Sequence, residues 1–228
     1  MAGLRWAIAV VVVVAGGAPA GADASGPGAA PGAPPVVDLG GGRYRIGRVK
    51  VDRARKRVAA RGTVLRDQPP LEYVAVARKG MKAYESLIEL AAEAVELNLG
   101  CILIGLDAAR AKRPERHFDP APVTGDTVTV TVAWRTADGA LRRVDAGDLV
   151  KLDAATLARG EWVYTGSTFL PGGEFAAAAE GPIVGFVHDP APLVEHRTGL
   201  LERFGDAVPN PAVAPPVGTR VTLTIGRP

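Results

Sequence analysis

Residues 82–86 read Lys-Ala-Tyr-Glu-Ser and set an amine, a phenol, a carboxylate and a hydroxyl side by side. Lys82, Tyr84 and Glu85 are side chains that bind polar ligands or move protons when burial and neighbouring charges tune them. Asn98 and Asp189, further along the chain, are candidates to face the same cleft. These five are the candidate ligand-binding residues. A structural role competes with this reading. Ser86 and Glu89 fit a capping box for a helix starting at Leu87, and Glu85 equally fits the polar face of a strand. We read 82–90 as a strand, because helix signals strengthen only from Ala91 onward.

Other chemistries find less support. Ser86 or Ser167 with His188 or His196 and Asp189 supplies the residue types of a hydrolase triad, but the Gly-x-Ser-x-Gly elbow is missing. Neighbours such as His188 and Asp189 on one strand point to opposite faces. The stretch His188-Asp189 to Glu195-His196 holds zinc-type ligands without the spacing of a zinc motif, and Asp189-Pro190 reads more simply as a turn. The segment 145–153 is only faintly like a calcium loop. No metal or other cofactor is expected. The single cysteine, Cys101, lies in an apolar stretch and reads as a packing residue. It excludes an internal disulfide framework. The glycines at 40–42 precede a strand rather than a helix, which excludes a phosphate-cradling loop. Trp134 and Trp162 are aromatics for the core or for stacking on a sugar. No catalytic residue is assigned.

The elements that would position these side chains are mostly strands. Alternation marks 43–52 and 55–65 as a hairpin around Asp52-Arg53-Ala54, and 71–80 as a third strand. The segment 82–90 reads as its return partner through a tight turn at 78–81. Residues 127–135, Thr-Val-Thr-Val-Thr-Val-Ala-Trp-Arg, alternate strictly, and Ala137-Asp138-Gly139 turns them back into 141–146. The stretches 160–167, 173–180, 181–189 and 218–226 read as further strands, with single helical turns at 153–158 and 193–196. The segment 93–110 differs: it is apolar nearly all round, so a buried helix is expected there. The loop at 107–126 is long for a compact domain.

The start of the chain carries an export-like pattern. Arg5 precedes a ten-residue apolar run, Trp6–Ala15, followed by small residues that fit a cleavage site. The run is shorter than the ~20 residues that span a bilayer. Residues 1–22 are expected to be a signal peptide, and 23–40, rich in Ala, Gly and Pro, a disordered spacer. Residues 41–228 are expected to form one domain, exported to the periplasm or outside, with no membrane span after cleavage. Net charge is only +3, and the basic runs at 53–57 and 110–117 lack interleaved aromatics, so no nucleic-acid partner is expected.

Five stretches occur in an ordered series: 82–90 (KAYESLIEL), 97–106 (LNLGCILIGL), 162–167 (WVYTGS), 186–194 (FVHDPAPLV) and 218–225 (GTRVTLTI). Together they resemble the YdjY-type domain of exported bacterial proteins, over roughly residues 40–227. The resemblance implies a domain of unknown biochemical activity. In that family's pattern a histidine often stands at the place of Tyr84, and a second at the place of Asn98. A histidine pair beside a glutamate has metal-ligand chemistry; Tyr84 and Asn98 weaken that role here. The resulting expectation is an α+β fold, with mostly antiparallel sheet packed around one buried helix. It would act as a non-catalytic binding or structural module of the cell envelope for a small-molecule, glycan or protein ligand. The alternative is a metal-dependent or hydrolytic enzyme with a site near Lys82, Glu85 and Asp189.

Overall fold

The computed structural model describes residues 12–13, 34–152, 155–199 and 206–228. Most of the expected signal peptide and spacer lies outside these residues. The first strands are β1 (Val12–Val13), β2 (Val36–Asp38), β3 (Arg43–Ile46), β4 (Val49–Asp52) and β5 (Arg57–Val64). Next come β6 (Tyr73–Val76), β7 (Ser86–Leu90), β8 (Asp126–Arg135) and β9 (Leu141–Asp145). The series ends with β10 (Val150–Leu152), β11 (Ala155–Thr156), β12 (Trp162–Tyr164), β13 (Pro182–Gly185), β14 (Val194–His196), β15 (Ala207–Pro209) and β16 (Arg220–Gly226). Two α-helices, α1 (Ala94–Leu103) and α2 (Ala176–Ala179), and three short 3-10 turns complete the described chain.

The expected α+β architecture is corrected by the strand order. Strands β5-β16-β8-β12-β14-β13-β6-β7 are neighbours in sequence around the sheet, and β7 pairs back onto β5. The result is a closed eight-stranded barrel with extra strands at its rims, and helix is only 14%. Closure turns on Gly62 of β5, which faces Leu90 of β7. A Cβ there would sit 2.7 Å from the Glu89 carbonyl and 2.9 Å from an Ile88 methyl, so only glycine lets the two backbones meet. Inward-pointing Val58, Val64, Val128, Val130, Val132, Leu223 and Ile225 are all buried and fill the barrel with branched aliphatics. Each such side chain stabilises the fold by about 1.5–3 kcal/mol.

Several local expectations change for physical reasons. Residues 82–90 are not the return arm of a hairpin: Met81–Glu85 is a 3-10 turn, and β7 runs parallel to β6. The alanine run at 176–179 is helix, in keeping with alanine's propensity, and 194–196 is strand. Ala155–Thr156 is strand, while Asp153 and Ala154, from the turn expected there, lie outside the described residues. Helix α1 is docked rather than engulfed. Ala94, Leu97, Gly100 and Cys101 are buried, whereas Ile102 is exposed. The helix fits closely because a Cβ on Gly100 would lie only 2.8 Å from Val58 and 3.2 Å from Val51. Its N-terminus is closed by a reciprocal Glu93–Glu96 capping box.

Candidate functional site

The 3-10 turn, the ends of β13 and β14, and the start of β6 bring Lys82, Glu85 and Asp189 into one polar cluster. The Lys82 ammonium lies 2.9 Å from Glu85 Oε1 and 5.8 Å from the centre of the Tyr73 ring. The Tyr73 hydroxyl donates to Asp189 Oδ2 at 2.5 Å. Asp189 Oδ1 accepts from the Ala191 amide, and the Asp189 amide donates to Glu195 Oε1 at 3.2 Å. Beside them, His117 Nε2 lies 2.9 Å from Glu72 Oε2.

Burial governs the electrostatics. Glu85 is 1% exposed and Glu195 0%, and Glu72 and Asp189 are buried with them. Burial, then the nearby Asp189 charge, pushes the Glu195 carboxyl well above the ordinary carboxylate range. Burial and Asp189 likewise drive the Tyr73 hydroxyl far upward. Burial works most strongly against the Lys82 charge, but the bond to Glu85 and the charges of Glu85, Tyr84 and Asp189 together outweigh it and the net shift is upward. The bond to Glu72 leads an upward shift of His117 that burial opposes. One oxygen each of Glu72 and Glu195 has no hydrogen-bond partner. Gly185 makes room for Glu195: a Cβ there would lie 3.0 Å from Glu195 Oε2.

The five candidate residues therefore divide. Lys82, Glu85 and Asp189 converge. Tyr84 stands at the rim, 55% exposed, and burial, then the neighbouring Glu85 charge, shifts its hydroxyl upward. Asn98 is elsewhere: its Oδ1 accepts from the Tyr164 hydroxyl at 2.5 Å, in a hollow of about 680 Å³ walled by Val95, Leu99, Ile102, Phe169 and Phe175. Tyr73, Glu72 and His117 belong to the cluster and were not singled out from the sequence. Apolar surroundings hide Tyr73 in a strand pattern, and His117 is 45 positions from Glu72.

The alternative constellations do not assemble. Ser86 Oγ donates to the Lys82 carbonyl, and Ser167 Oγ donates to the Ala191 carbonyl, so neither meets a histidine. Both ring nitrogens of His188 face the carbonyls of Asp119 and His196, and His196 Nε2 faces that of Ala158. Trp162 is buried, bonded to Asp145 and edge-on to His196. Trp134 is buried beneath the Arg142 guanidinium. Neither offers an open stacking face. Burial pushes the Cys101 thiol up to about 12, the behaviour of a packing residue.

A closed β-barrel with a covered acidic cluster defines the architecture, and the sequence places it in a family. The chain belongs to the YdjY domain family, whose model matches residues 49–226. No curated protein and no solved structure matches the chain. No described helix is long and apolar enough to cross a membrane.

Proposed function

We propose that the chain is an exported, non-catalytic binding module of the cell envelope, placed in the periplasm or outside, that takes a small-molecule, glycan or protein ligand. The observation that carries this reading is how the chemistry-bearing groups are used. Glu85 is covered and held by Lys82, both oxygens of Asp189 accept internal hydrogen bonds, and Glu195 has no exposed surface. A general base must reach the proton it removes, and none of these carboxyls reaches solvent freely. Concave surface lies elsewhere, in the apolar hollow beside α1 and in a groove on the outer wall of the barrel.

The test is turnover of chromogenic esters, glycosides, phosphoesters and peptides by the wild type, Glu85→Gln and Asp189→Asn, with folding checked by circular dichroism. The reading expects no turnover above buffer for any of the three. Hydrolysis by the wild type that disappears in either folded variant overturns it and restores the enzyme alternative.

A further inference from the structure

The outer wall of the barrel carries a groove of about 940 Å³ whose rim holds six arginines: Arg48, Arg61, Arg78, Arg135, Arg143 and Arg220. All six are exposed. Arg78 is paired with Glu93, and Arg135 donates to the Gly139 carbonyl. The side chains of Arg48, Arg61, Arg143 and Arg220 make no ion pair or hydrogen bond among the described residues. The groove's one carboxylate, Glu89, accepts from the Lys79 amide.

Strand register explains why these guanidiniums share one surface. Arg61 on β5 stands opposite Thr222 on β16, Thr222 opposite Ala133 on β8, and Ala133 opposite Arg143 on β9. Four strands at ~4.8 Å spacing set the Arg61 and Arg143 backbones about 14 Å apart, with short side chains between them. Arg220 stands opposite Thr63 on the same face. The floor is therefore threonine and alanine, and the hydroxyls of Thr63, Thr222 and Thr224 have no hydrogen-bond partner among the described residues.

We propose that this groove binds an acidic polysaccharide. This rests on the binding-module reading and names the ligand class for it. Unpaired guanidinium forks match carboxylate, sulfate or phosphate groups in bidentate geometry. The threonine floor supplies donors and acceptors for sugar hydroxyls between those charges. Nucleic acid fits less well. The one aromatic side chain in the groove, Trp134, is buried, so no base-stacking platform exists.

The experiment measures binding of the chain to fluorescent polygalacturonate and dextran sulfate oligomers. Neutral dextran and a DNA duplex of equal charge are run beside them. The two acidic glycans distinguish a carboxylate from a sulfate source, and binding to either supports the proposal. Arg61→Glu and Arg143→Glu are each expected to weaken it about tenfold, as loss of a charge-assisted hydrogen bond would. Arg45→Glu, an exposed strand position outside the groove with the same change in net charge, is expected to leave binding within about twofold of wild type. Absence of glycan binding, equal losses in all three variants, or tighter binding to the duplex overturns the proposal. None of those results touches the binding-module reading, which falls only to the hydrolytic outcome named above.

Discussion

Replacing Glu195 with glutamine should stabilise the protein, and by more as the pH rises. Glu195 is wholly buried, with one oxygen accepting the Asp189 amide and the other without a partner. Unfolded, it titrates near the ordinary 4.5; folded, burial and Asp189 hold it well above that value. Below the ordinary value both states carry the proton, and the residue adds no pH dependence. As pH climbs toward the folded midpoint, the unfolded chain sheds the proton while the folded chain keeps it. Stability then falls by about 1.4 kcal/mol per pH unit. Glutamine has the shape of the protonated acid, keeps an oxygen for the Asp189 amide, and does not titrate. The Glu195→Gln minus wild-type difference should therefore grow with that slope. The imperfect match of amide for acid adds a constant offset of about 1 kcal/mol in either direction. Urea unfolding followed by tryptophan fluorescence between about pH 5 and about pH 8 measures it, in the range where the linkage operates. Parallel stability curves for the two proteins would rule out the raised carboxyl, because it would then titrate alike in both states.

Two further outcomes test packing and pairing. Gly100→Ala should destabilise by about 1–3 kcal/mol, because overpacking against Val58 and Val51 outweighs the ~1 kcal/mol helix-propensity gain; urea melts read the sign directly. Lys82→Met should cost about 2 kcal/mol. That is less than the ~3–5 of a fully buried pair because the Lys82 side chain is 23% exposed. Most of the loss should be recovered in Lys82→Met/Glu85→Gln, as a double-mutant cycle would report.

What could be read from the chain depended on the range of the interactions. The alternation of 127–135 and of 218–226 is a local signal, and both segments are strands as expected. Barrel closure is not local. It needs β5 to meet β7 across Gly62, a glycine that in sequence looks like any interruption of a strand. The parallel pairing of β6 and β7 was hidden because a short connection normally signals a hairpin. Helix α1 looked engulfed because it is apolar all round. Val95, Leu99 and Ile102 instead wall an open hollow, and only Leu97, Gly100 and Cys101 among its central residues are buried. The cluster was half legible. Lys82 and Glu85 share one turn, whereas Glu72, Tyr73, His117 and Asp189 meet only through the barrel. Only the family pattern joins Asn98 to them, and its side chain points to the hollow.

We propose that the acidic cluster is interior structure rather than an active site. Carbodiimide coupling of an amine to the native protein's carboxyls, located by peptide mass spectrometry, tests this directly. Exposed Glu115, Asp138 and Glu174 should label readily. Glu72, Glu85, Asp189 and Glu195 should stay unlabelled until the chain is unfolded. Labelling of Glu85 and Asp189 at the rate of the exposed group would contradict the account.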